Sequence, residues 1–127
     1  SYAELASGYN LYWVATKCAD VGFISSSNMQ KIRSAMDRFD RMYIAKGLIE
    51  SKEQAGEAWD MLMNDDPKLL NAMGKMAAMA WYTSKESWKM HPRGVVDPYT
   101  GLNKTKKWCA EDLVYVITVA FPKKYGY

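Results

Sequence analysis

From Asp66 to Met90 the chain carries its longest run of helical spacing, and this run limits the possible folds more than any other feature. Asp66 is suited to accept hydrogen bonds from the first free amides of a helix, and Pro67, with its fixed φ and missing N–H, suits the first helical position. Leu69, Leu70, Met73, Met76, Ala77, Ala80 and Trp81 then recur at three- and four-residue steps. That spacing predicts one apolar face over several turns, and hence the central helix of a helical domain. The helix must stop by His91, because Pro92 disfavours helical backbone in the residue before it.

The remaining segments follow the same period. Tyr2 to Val21 places Tyr2, Leu5, Tyr9, Tyr12, Trp13 and Cys18 on one side, with Gly22 as the stop. Ser27 with Gln30, and Ser51 with Gln54, have the spacing at which a serine caps a helix and a glutamine three residues on bonds back. The second helix then buries Met29, Ile32, Met36, Phe39, Met42 and Tyr43, and sets Arg33, Asp37 and Arg41 as a charged ladder on another face. The third, Lys52 to Asn64, turns Ala55, Ala58, Trp59, Leu62 and Met63 inward. Trp108 to Phe121 has β-branched residues that suit a strand, yet Leu113, Val116, Ile117 and Ala120 keep helical spacing and no partner strand is apparent, so a last helix ended by Pro122 is the expected reading. Between Pro92 and Lys107, two Pro, two Gly and the DPYTG turn signature predict a long loop. The expectation is a single all-α domain, a compact bundle of about five helices with a long loop before the last.

The chain has 127 residues, 49% of them hydrophobic and 13% aromatic, which fits one folded domain and not a disordered segment. Its longest apolar run, Leu113 to Phe121, is well short of the roughly 20 residues a bilayer-spanning helix needs. Net charge is +3, concentrated after residue 82, where eight basic residues face four acidic ones. That imbalance is too mild for nucleic acid, and no nucleic-acid motif accompanies it.

Cys18 and Cys109 are far apart in sequence, so no CxxC, haem-attachment or zinc pattern exists. A chain opening Ser-Tyr-Ala-Glu, with many aromatics and an even cysteine count, reads as a mature secreted or periplasmic protein. A Cys18–Cys109 disulfide between the first and last helices is the expected state, and two buried free thiols are the alternative.

The residues with possible chemistry are few. His91 is the lone histidine, and neither cysteine lies in a nucleophile signature. Met73, Met76 and Met79 form an MxxMxxM array whose soft sulfurs suit Cu(I), although the same spacing arises where methionine fills a core. A glycosidase needs two facing carboxylates with one held protonated, and the acids at Asp37, Asp40, Glu50, Glu53, Glu57 and Asp60 read as solvated helix faces. Arg93, Tyr99, Lys104, Lys106, Lys107 and Trp108 interleave cations with aromatics in the loop and the start of the last helix, a composition found in protein recognition. Asn103-Lys104-Thr105 also matches the N-glycosylation pattern. The sequence therefore predicts an exported, non-enzymatic protein with no cofactor, which binds another protein as an accessory subunit, inhibitor or immunity-type factor. A periplasmic Cu(I)-binding protein and a small hydrolase such as a glycosidase are the alternatives.

Overall fold

The computed structural model describes residues 2–90 and 104–126, apart from the side chains of Met90 and Lys104. Among the described residues there are six helices and no strand: α1 (Tyr2–Asp20), α2 (Ser26–Ala45), α3 (Lys52–Met63), α4 (Pro67–Met73), α5 (Lys75–Met90) and α6, one continuous helical stretch over 104–125. The fold is all-α, and a disulfide joins Cys18 to Cys109 with their Cα atoms 6.0 Å apart. The end of α1 is thereby bound to the start of α6.

Caps set most of the boundaries. Ser51 Oγ accepts from the Gln54 amide at 3.2 Å, and the Gln54 side chain accepts in turn from the Glu50 amide. Asp66 accepts from the Lys68 amide at 2.9 Å, with Pro67 in the first turn of α4. The cap of α2 differs from the expected Ser27–Gln30 box. Ser25, the first of three serines, takes extended backbone and accepts from the Asn28 amide at 3.1 Å, so the helix starts earlier and leaves Ser27 within its first turn.

The long periodic stretch is two helices, because Gly74 stands between them at φ +90° and ψ 163°. Only glycine enters that region without steric cost. The Gly74 carbonyl then accepts from Ala78 at 3.0 Å and starts α5 afresh. Breaking the helix resets its phase: Met73 is 3% exposed, whereas Met76 and Met79, expected on the same face, are 87% and 64% exposed. Trp81 remains fully inside.

The central helix is α1, not the 66–90 stretch; it packs against α2, α4, α5 and α6. It can approach α2 closely because of Gly8, where an added Cβ would lie 2.5 Å from Phe39 Cζ. Its first half, through Leu5, Ala6 and Tyr9, joins a core with Phe39, Tyr43, Leu62, Leu69, Met73 and Trp81. Its second half, through Ala15 and Cys18, joins another with Ile32, Cys109, Leu113 and Ile117.

Helix wins over strand in the last segment, in an unusual form. Trp108–Leu113 and Val116–Ala120 are π-helical, and the Phe121 amide donates to the Val116 carbonyl five residues back. The helix begins at Lys104, four residues ahead of the expected start, and runs past Pro122 to Tyr125. Pro122 stands in the first turn of the α-helical end Phe121–Tyr125, directly after the π-helical segment.

Candidate functional site

An open cleft of about 520 Å³ lies between α1, α2 and α3. Helical spacing accounts for its walls. Tyr9 and Tyr12 are three apart on α1, Arg33, Met36, Asp37 and Asp40 share one face of α2, and Lys52, Gly56, Trp59 and Asp60 come from α3. The Trp59 ring meets Tyr9 and Tyr12 edge-on, with centroids 5.8 and 5.4 Å away. This arrangement is favoured for aromatic pairs and fixes the floor of the cleft.

A chain of polar contacts runs along one wall. The Tyr9 hydroxyl donates to Asp40 Oδ1 at 2.9 Å, and Lys52 Nζ donates to Asp40 Oδ2 at 3.2 Å and to Asp37 Oδ1 at 2.8 Å. Arg41 Nε completes the chain on Asp37 Oδ2 at 2.7 Å. Burial, reinforced by the Asp40 carboxylate, pushes the Tyr9 phenol far above its ordinary range. Hydrogen bonds from Lys52 and Arg41 hold Asp37 below the usual carboxylate value, and Asp37 in turn raises Lys52. In contrast, Arg33 and Asp60 on the cleft walls have no side-chain partner among the described residues.

The hydrogen-bonded chain fixes Asp37, Asp40 and Lys52 relative to one another along this wall. A general acid needs a carboxyl whose proton is retained near neutral pH, and Asp37 is pushed the other way. The expected ladder of Arg33, Asp37 and Arg41 is also redistributed: Asp37 pairs with Arg41 and with Lys52 of α3, and Arg33 lines the cleft instead. Asp40 is not a solvated surface charge but a half-buried acceptor for Tyr9.

The sequence-predicted contact patch lies elsewhere and in part beyond view. Arg93 and Tyr99 fall outside the described residues, as do His91, Asn103 and the Lys104 side chain. Lys106 and Lys107 are exposed on the first turn of α6, and Trp108 is 42% exposed. Trp108 shares a shallow depression of about 240 Å³ with Val14, Thr83, Ser84, Ser87, Trp88 and Thr105. The expected MxxMxxM array is not a single row of sulfurs, since Met73 is buried on α4 and only Met76 and Met79 face outward on α5. No cluster of three or more His, Cys, Asp or Glu with metal-binding geometry occurs among the described residues.

The cleft itself was missed in the sequence. Its only local signals are the i, i+3 pairs Tyr9/Tyr12 and Asp37/Asp40, and nothing local shows that Trp59 and Lys52 meet them. No known protein family matches the chain, no curated protein matches it, and no solved structure matches it.

Proposed function

We propose that this is a non-enzymatic binding protein of an oxidising, extracytoplasmic compartment, which takes part of another protein into the cleft between α1, α2 and α3. It would serve there as an accessory subunit, inhibitor or immunity-type factor. One observation carries the reading: the cleft combines a fixed Tyr9–Tyr12–Trp59 floor with an unpaired Arg33 and Asp60, while its inner charges are already paired. Trp, Tyr and Arg are the residues that dominate protein-binding energetics, and an ordered floor loses little conformational freedom on binding. The Cys18–Cys109 disulfide is compatible with such a compartment, where disulfides persist. None of the described helices is long and apolar enough to cross a membrane.

The test is affinity capture from the native host, followed by titration with the purified partner. Arg33→Glu with Asp60→Lys should weaken that partner about tenfold or more, while Met76→Glu on α5 should leave it unchanged. A partner bound equally by all three proteins, or substrate turnover by the isolated protein, would overturn the proposal.

A further inference from the structure

A different face of α2 carries a second pocket, and its chemistry is unlike that of the cleft. It holds about 400 Å³ between α2 and α6 and is lined by Ser27, Gln30, Lys31, Ser34, Arg38 and Thr118. The five α2 residues stand at i, i+3, i+4, i+7 and i+11, so they form one stripe along the helix. We infer that this pocket binds a small hydroxylated anion, a sugar bearing a phosphate or carboxylate group.

Charge is the first argument. The only ionisable groups lining the pocket are the cations Lys31 and Arg38, and no carboxylate lines it. Neither cation has a side-chain partner among the described residues. An ammonium and a guanidinium facing a shared space provide charge-assisted hydrogen bonds to an oxyanion, and the guanidinium fork fits phosphate and carboxylate alike. Ser27, Ser34 and Gln30 add neutral donors beside them.

Thr118 sets the second requirement. Its hydroxyl proton is committed to the Val114 carbonyl at 2.6 Å, so toward a ligand its oxygen can only accept. A ligand hydroxyl supplies the donor that this oxygen accepts. Size agrees with this, because a space of this volume falls in the range that holds small organic molecules and exceeds what an inorganic ion fills. Thr118 also belongs to the π-helical segment Val116–Ala120, a backbone form often found at functional sites. The inference is independent of the proposed protein partner, since it uses none of the cleft residues.

Calorimetric titration of the intact, disulfide-bonded protein at low ionic strength tests it with four probes: glucose 6-phosphate, glucuronate, inorganic phosphate and glucose. One or both charged sugars should bind, inorganic phosphate should bind about tenfold more weakly or not at all, and glucose should give no heat. The exposed double substitution Lys31→Gln, Arg38→Gln should weaken the charged sugar about tenfold or more, and Thr118→Val should weaken it to a lesser degree. Binding of glucose as tight as that of its phosphate overturns the inference, as does charged-sugar binding that survives the double substitution. Inorganic phosphate binding as tightly as either sugar, or silence from all four probes up to about 10 mM, overturns it too.

Discussion

Around Cys18, α1 sits among Ala15, Ile32, Leu113 and Ile117 and is bound covalently to α6, whereas around Tyr9 it sits among rings whose polar edges are tied to carboxylates. At the first end, packing is non-directional and the bridge ignores pH. At the second, the Tyr9 hydroxyl is held by Asp40, that of Tyr43 by Glu4 at 2.7 Å, and the Trp81 indole by Asp65 at 2.8 Å. The cleft opens at this second end. A site that must present flat rings at fixed angles needs directional ties, and those ties bring dependence on ionisation with them.

Removing the bridge is the strongest way to break this comparison. Cys18→Ala with Cys109→Ala should cost about 4 to 5 kcal/mol by the chain-entropy argument for a loop of this length. Urea unfolding measures the loss, and hydrogen exchange should rise first at Ala15, Ile32 and Leu113; equal loss around Tyr9 would show that the two ends are one unit. Next in size is Gly8→Ala, whose Cβ would press on a Phe39 ring that has no exposed surface to retreat into. Overpacking of this kind costs about 1 to 3 kcal/mol, while Gly56→Ala, with nothing within 4 Å, should be neutral or slightly stabilising.

Tyr9→Phe sharpens the contrast, because it leaves Asp40 short of a donor and should cost about 1 to 3 kcal/mol at neutral pH. Its signature is the alkaline limb. A phenol raised above its ordinary 10.0 contributes stability that is fully present below that value and lost as pH rises beyond it, so the variant should fall less steeply above pH 10 than the parent. The smallest effect concerns Asp65, which sits at φ +51° and is gripped by Lys85 Nζ at 2.6 Å and by the Trp81 indole. Hydrogen bonding to Lys85, with a smaller contribution from Trp81, holds its carboxyl below the ordinary 3.8. That stability is present above 3.8 and is lost as pH falls through the folded value, so Asp65→Asn should flatten the acid limb of a urea-midpoint profile. The pair is partly exposed, and the change should stay under about 1 kcal/mol.

Much of the fold was readable because helices announce themselves locally. The caps at Ser51 and Asp66, the inward faces of α2 and α3, and the Cys18–Cys109 bridge follow from spacing, composition and cysteine number. The break at Gly74 was not read, because a glycine inside an otherwise regular pattern often stays helical and only the tertiary setting decides. The centrality of α1 was hidden because Gly8 contributes by lacking a side chain, and apolar periodicity cannot count what is missing. The π-helical turns of α6 have no local pattern of their own, since α and π spacing differ by less than one residue per turn. The cleft was the least readable feature: it is made where three helices meet, and its residues are separately unremarkable.

The Cys18–Cys109 bridge also changes what a cut in the chain means. Backbone between the two cysteines lies on a closed covalent ring, so one hydrolysed peptide bond there opens the ring without releasing a fragment. The nicked molecule keeps α1 and α6 attached, gains only the mass of a water, and separates into two pieces on reduction. Cuts before Cys18 or after Cys109 have no such insurance, which leaves the first turns of α1 and the last turns of α6 as the places where a single proteolytic event shortens the protein at once.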